Sequence, residues 1–192
     1  MKSSRRYGAI VIGCSAGGLR VLIPLFEKLP VDYNIPIILV QHRSKDEREL
    51  LEEVLQQRCL IRVIQASEKE SITNGCVHIA PADYHLLIEK DMTFSLTSDE
   101  KVNYARPSID ILFETAAEVY TNKLIGIILT GANSDGAGGI KTIRRFGGLT
   151  IAQEPKEAEY PAMPQAAIKS GAVDKILTVI EIKNFLLNQA CE

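Results

Sequence analysis

The stretch that decides the fold is Tyr7-Gly-Ala-Ile-Val-Ile-Gly-Cys-Ser-Ala-Gly-Gly-Leu-Arg-Val-Leu-Ile-Pro-Leu-Phe26. Tyr7 to Gly13 is an apolar run of strand length, and Gly18 to Leu29 carries Leu19, Leu22, Ile23 and Phe26 at helical spacing, so the chain opens strand then helix. Between them lies Gly13-Cys14-Ser15-Ala16-Gly17-Gly18, a small-residue turn of the kind that joins a buried strand to a helix.

The same alternation continues outward. Ile35 to Gln41 reads as a second buried strand, and Ser44 with Glu47 forms a capping box for a helix carrying Leu50, Leu51, Val54 and Leu55. Ile61 to Ala66 is a third strand. After the Asn74-Gly75 turn the pattern shortens to Cys76–Ala80, Tyr84–Glu89 and Thr93–Leu96, and the Lys90-Asp91 turn predicts an antiparallel hairpin. A helix from Pro107-Ser108 to about Tyr120 precedes Lys123 to Thr130, the most continuous apolar strand, expected in mid-sheet. Then come a helix from Gly136 to Phe146, a strand Leu149–Gln153, a short helix near Pro164–Ser170, a strand near Val173–Leu177, and a last helix capped by Thr178 and Glu181. Alternation of this kind predicts an α/β fold with an open, mostly parallel sheet covered by helices on both faces. No repeat or flexible linker divides it, so residues 1–192 are expected to form a single domain.

With 46% hydrophobic and 24% charged residues, the chain has enough apolar surface for one core and is far from the composition of disordered segments. A formal net charge of −2 offers no basic field for nucleic acid or anionic membrane, and both partners are disfavoured. Arg5-Arg6 is followed by an apolar run that Gly13, Ser15, Gly17 and Gly18 break, so neither a signal peptide nor a membrane span is expected, and the protein should be cytoplasmic. Cys14, Cys59, Cys76 and Cys191 lie far apart without metal-ligand spacing; no metal and no disulfide framework is predicted, and Cys59 and Cys76 read as reduced, buried thiols.

In an open α/β sheet the chemistry gathers at the carboxyl ends of the strands. Three loops there carry functional groups. The first, around Ser15, fits the G-x-S-x-G pattern of an exposed nucleophile, although glycine-rich turns also cradle phosphate in nucleotide-binding folds. The second starts at Gln41-His42 and supplies a general base; a solvent-facing loop histidine is the bland alternative. His78 and His85 fall within extended segments and read as packing or hydrogen-bonding residues. The third, Thr130 to Gly139, holds Asp135, a partner for the histidine or simply a helix cap; local sequence does not choose between them. The order Ser15, His42, Asp135 differs from that of α/β-hydrolases. Cys14 as nucleophile is disfavoured because Ser15 occupies the turn apex.

With these residues in hand, the chain resembles the catalytic domain of the chemotaxis protein-glutamate methylesterase (CheB) family nearly end to end. The resemblance rests on Val11 to Gly18, Val40-Gln-His42, Ile79-Ala-Pro81 with His85, Arg106-Pro-Ser-Ile-Asp110, Leu129-Thr-Gly131 with Asp135-Gly-Ala137, and Ala162-Met-Pro-Gln-Ala-Ala167 leading to Gly171-Ala-Val-Asp174. It implies a three-layer doubly wound sheet with an added hairpin, a triad of Ser15, His42 and Asp135, and no cofactor. The implied substrate is a methylated chemoreceptor glutamate, with glutamine deamidation as a second reaction. Backbone N–H groups of Ala16 and Ala132 are the expected oxyanion donors; family members often have Thr and Met there, and Met-Pro where this chain has Arg43-Ser44. The family commonly carries a receiver domain ahead of the first strand, for which six residues leave no room, so regulation is expected to come from a separate protein or to be absent. The alternatives are a phosphate- or nucleotide-binding module and an inactive receptor-binding homologue.

Overall fold

The computed structural model describes residues 7–43 and 51–189. Ser44, Glu47 and Leu50 of the expected capping box and helix, with Arg5, Arg6 and Cys191, lie outside the described residues. Strand β1 (Ala9–Cys14) is buried along its whole length, and its pleat sends alternate residues to opposite faces. Ile10, Ile12 and Cys14 enter one apolar cluster, while Ala9 and Val11 enter another. A strand with two buried faces needs no polar alternation, which is why Tyr7 to Gly13 reads as a continuous apolar run.

Around β1 the strands β2 (Ile37–Gln41), β3 (Arg62–Gln65), β4 (Cys76–Ile79), β7 (Leu124–Ile128), β8 (Leu149–Gln153) and β9 (Lys175–Leu177) complete a seven-stranded sheet in the order β3-β4-β2-β1-β7-β8-β9. Every neighbouring pair is parallel. Strands β5 (His85–Ile88) and β6 (Phe94–Thr97) form a separate antiparallel hairpin. The expected fold class is therefore found, and the hairpin closes across the expected Lys90-Asp91 turn. The short segment after Asn74-Gly75, left without a place by the sequence pattern, is β4, which inserts between β2 and β3 with its four residues buried.

One face of the sheet is covered by α1 (Gly18–Phe26), α2 (Leu51–Gln56) and α6 (Val179–Gln189), through Leu22, Leu25, Phe26, Leu55, Ile182 and Leu186. The other is covered by α3 (Ile109–Tyr120), α4 (Ala137–Arg145), α5 (Ala162–Lys169) and the hairpin, through Ile109, Phe113, Ile143, Met163 and Phe94. Each such fully buried side chain is worth about 1.5–3 kcal/mol relative to exposure, so both layers contribute to holding the sheet. Helix α1 stops at Phe26, short of Leu29. The cap of α6 forms as expected, with the Thr178 N–H donating to Glu181 Oε2 (2.8 Å) and the Glu181 N–H to Thr178 Oγ1 (3.2 Å).

Register brings the carboxyl ends of three adjacent strands level. Gly13 lies beside Val40 on one side and Ile128 on the other, and Cys14 beside Gln41. Connections leave β1 and β7 toward opposite faces, α1 to one and α4 to the other, so this edge is a topological switch point.

Candidate active site

Sheet-like pairing continues past the strands and fixes the three loops relative to one another. The His42 N–H donates to Cys14 O (3.0 Å), the Ser15 N–H to Thr130 O (2.9 Å) and the Leu129 N–H to Gly13 O (2.9 Å). Gln41 locks them further: its Nε2 donates to Ser15 O (2.8 Å) and His42 O (3.1 Å), and its Oε1 accepts from Cys14 Sγ (2.9 Å). A Cβ at position 18 would fall on the Gln41 amide, so Gly18 is required for this lock. Thr130 ties in from the other side, its Oγ1 donating to Ala16 O (3.0 Å) while accepting from the Tyr160 N–H (3.0 Å).

His42 Nε2 and Asp135 Oδ2 are 2.8 Å apart, with Asp135 fully buried and the His42 side chain 11% exposed. The carboxylate accepts five hydrogen bonds: at Oδ2 from His42 Nε2 and the Ile109 N–H (2.6 Å), and at Oδ1 from Ser108 Oγ (3.0 Å), Asn103 Nδ2 (3.1 Å) and the Asp110 N–H (3.3 Å). Two of these donors are first-turn amides of α3, whose positive end favours an anion. Burial by itself would push the Asp135 carboxyl up; the bonds from His42, Ile109 and Asn103 outweigh it and hold the group below the usual carboxylate range.

Asp110, in the first turn of α3, makes the reciprocal contact by accepting from the Gly139 N–H of α4 (2.6 Å). Asn103 Nδ2 bridges the two carboxylates, 2.8 Å from Asp110 Oδ2 and 3.1 Å from Asp135 Oδ1. Burial raises Asp110, only partly offset by the Gly139 N–H, and the neighbouring Asp135 charge adds to the rise. Gly136, at the bend into α4, has φ +92°, and a Cβ there would meet Ile128 and Ile109.

An Asp135 carboxylate on Nε2 places the imidazole proton there and leaves the Nδ1 lone pair as the basic site. Asn133 Nδ2 donates to that Nδ1 at 3.3 Å, while Asn133 Oδ1 accepts from the Asp135 N–H at 3.1 Å. Because a backbone N–H can only donate, the second contact fixes which end of the amide faces His42. Ser15 and His42 line the same cleft of about 340 Å³, together with Arg43, Lys101, Tyr104, Arg106 and Asn133. Among the described residues no hydrogen bond joins the Ser15 hydroxyl to His42. The N–H groups of Ala16 and Ala132 make no hydrogen bond among the described residues either, and each residue adjoins in sequence one that lines this opening, Ser15 and Asn133.

Cys14 is fully buried, and burial pushes its thiol far up, so it stays protonated and turned away from the cleft. Cys14, Cys59 and Cys76 are all free thiols. Among the described residues no group of His, Cys, Asp and Glu converges to hold a metal ion. His78 and His85 play the packing and hydrogen-bonding roles expected of them. His78 Nε2 contacts the backbone of Thr73, and its ring lies 5.0 Å from that of Phe94. His85 accepts from the Ser108 N–H at Nδ1 (3.1 Å) and donates to Glu100 O from Nε2 (3.0 Å), pinning both ends of the loop that carries Lys101, Asn103 and Tyr104.

On the cleft walls Arg43 is committed to Glu52 (2.7 and 3.2 Å) and Arg106 to Asp83 (2.7 and 3.2 Å). Lys101 forms no ion pair among the described residues, and Tyr104 is 99% exposed at the rim. Gln41, Asn103 and Ser108 carry much of the geometry and were not singled out by their chemistry in the sequence. Gln41 and Ser108 fall inside the motifs Val40-Gln-His42 and Arg106-Pro-Ser-Ile-Asp110; Asn103 has no local signal.

The family model described as CheB methylesterase matches residues 10–186. A Leptospira interrogans protein, provisionally titled protein-glutamate methylesterase/protein-glutamine glutaminase, is 49% identical over 181 residues, covering 94% of each chain. The protein-glutamate methylesterase/protein-glutamine glutaminase of Clostridium acetobutylicum is 30% identical over 185 residues; the match covers 96% of this chain and 54% of that one. In structure, the chain superposes on the crystallised catalytic domain of the Thermotoga maritima CheB methylesterase with a TM-score of 0.91 and 32% identity, covering 95% of this chain and 98% of that one.

Proposed function

This chain belongs to the CheB methylesterase family, and on that premise we propose that it is a serine hydrolase that removes methyl esters from glutamate side chains of chemoreceptors and deamidates receptor glutamines. The observation that carries the reading is the buried His42–Asp135 pair at 2.8 Å beside Ser15 in one open cleft.

Ser15 is the nucleophile. As its Oγ adds to the ester carbonyl carbon, the hydroxyl proton passes to His42 Nδ1 and the carbonyl π electrons move onto oxygen. Asp135, kept acidic by its hydrogen bonds from His42, Ile109 and Asn103, stabilises the imidazolium through Nε2. The unused N–H groups of Ala16 and Ala132 are the backbone donors for the oxyanion. Collapse breaks the carbon–methoxide bond, and His42 returns the proton so that methanol leaves. Water then repeats the sequence on the acyl-enzyme, giving a free glutamate and the original serine. With a glutamine the leaving group is ammonia and the steps are the same.

The phosphate-cradle alternative has less support, because Ser15 and Gly18 spend their N–H groups on Thr130 O and Ser15 O instead of leaving a row of free donors. No helix among the described residues is long and apolar enough to cross a membrane. We further propose a cytoplasmic location and a single domain spanning residues 1–192. Ser15→Ala tests the reading: methanol release from a methylated receptor should fall by about 10^6-fold with unfolding unchanged. Release at the native rate would end the assignment of the nucleophile.

A further inference from the structure

Among the described residues, Asn133 is the one side chain that occupies the atom the reaction needs. Its Nδ2 donates to His42 Nδ1 (3.3 Å), the nitrogen that must take the Ser15 proton, and its other end is anchored by the Asp135 N–H (3.1 Å). An imidazole nitrogen has a single in-plane lone pair, so Asn133 and the Ser15 hydroxyl compete for it. Ser15, correspondingly, makes no hydrogen bond to His42 among the described residues. When Nδ1 becomes protonated during attack, an N–H on the ring would face an N–H on the amide, and two donors cannot share a hydrogen bond. The amide must then find an acceptor elsewhere in the cleft that Ser15, His42 and Asn133 line together. At that moment one new acceptor appears there, the oxygen that gains negative charge as Ser15 adds to the carbonyl.

We propose that Asn133 is a catalytic residue: its carboxamide N–H rests on His42 Nδ1 in the free enzyme and transfers to the substrate's oxyanion as the proton moves onto that nitrogen. The proposal deepens the methylesterase reading and rests on it. It adds a side-chain donor to the backbone donors of Ala16 and Ala132, one whose bond to the base is given up only as charge develops. Interactions of that kind raise kcat and leave substrate binding little changed, because they are stronger in the transition state than in the ground state. Anchoring of Oδ1 limits the motion to a swing of the amide nitrogen.

Two substitutions test it, assayed by methanol release from a peptide carrying one γ-methyl glutamate and by the rate at which a fluorophosphonate labels Ser15. Asn133→Ala removes the donor and the anchor; Asn133→Asp keeps an acceptor for the Asp135 N–H and has no hydrogen to donate. Both are expected to lower kcat by about 10^2–10^3-fold, the usual cost of one oxyanion donor, with KM within about threefold and labelling slowed in parallel. Asn133→Asp working at the native rate would make the residue a loop anchor and overturn the proposal. So would Asn133→Ala with native or faster turnover, which is the behaviour of a side chain that merely blocks the base. Loss of kcat without slowed labelling also overturns it. Should the unsubstituted protein release no methanol, the methylesterase reading itself fails; native activity in an active background removes only the role of Asn133.

Discussion

Replacing Asp135 by Asn should damage stability and catalysis together, for one reason. The native carboxylate is acceptor-only and serves five donors. An amide of the same shape accepts at one end and donates at the other. Its oxygen is best left where Ser108 Oγ, Asn103 Nδ2 and the Asp110 N–H converge, which turns the NH2 toward the Ile109 N–H and His42 Nε2. A buried N–H left without an acceptor costs about 1–3 kcal/mol. Loss of the anion at the start of α3 adds up to about 2 kcal/mol, and relief of charge burial returns part of the sum. A net loss of about 2–4 kcal/mol is expected. The same NH2 requires a lone pair on Nε2, so the imidazole proton moves to Nδ1 and the base presents the wrong tautomer. Where a serine protease triad suffers this fault, kcat falls about 10^4-fold. Urea unfolding and methanol release on one preparation read both effects, with Ser15→Ala as the control that loses activity alone. Turnover within about tenfold of native, or unfolding at the native urea concentration, would show that Asp135 does not couple α3 to His42.

The two neighbouring carboxylates should titrate in opposite senses, with Asp110 taking up its proton first as pH falls. Asp135, depressed in the fold, contributes stability that is present above its unfolded pKa and lost as pH falls through its folded value; Asp110, raised, destabilises at higher pH and is relieved as pH falls through its folded value. Carboxyl carbon-13 shifts followed by NMR check the order, and Asp135 protonating first would contradict it. Gln41→Ala removes two donors and one acceptor from the lock between the Ser15 and His42 loops. We expect kcat to fall at least tenfold with the midpoint of unfolding lowered by about 1–3 kcal/mol equivalent; unchanged kinetics would mean that strand pairing alone aligns the loops.

Much of the fold was legible because buried parallel strands leave continuous apolar runs and surface helices leave a 3.6-residue period. The destination of β4 was not: four buried residues read alike in a hairpin and in a parallel ladder. At the site, residue type and position at strand ends picked out Ser15, His42 and Asp135; the structure pairs the last two and puts Ser15 in the same cleft as His42. The choice left open for Asp135, cap or histidine partner, dissolves in the structure because it serves as both. The helix it caps is α3, 26 residues earlier in sequence, and not α4, which it precedes. Asp110 caps α4 in return. Local rules place a cap beside its own helix, so an exchange of caps between two helices leaves no signal in either stretch. Asn103, which bridges the two carboxylates, has none for the same reason.

The distribution of roles follows from the position of β1 between β2 and β7. Adjacent strands lie about 4.8 Å apart, so the ends of β2 and β7 are separated by about 10 Å with the end of β1 between them. A histidine leaving β2 can reach a carboxylate beyond β7 only by passing its ring over the end of β1. Ser15, which follows the end of β1, lines the same cleft as that ring. In the proposed reading the middle strand carries the nucleophile, and the flanking strands carry the base and the group that orients it. Chain order is free to vary, because any of these strands can come first in sequence. What cannot vary is the reach from β7, which the loop 130–136 supplies by folding Asp135 beneath the start of α3. The α3 amides thus hold the carboxylate where the imidazole arrives, and the Ile109 N–H joins His42 and Asn103 in offsetting the upward push of burial on its pKa.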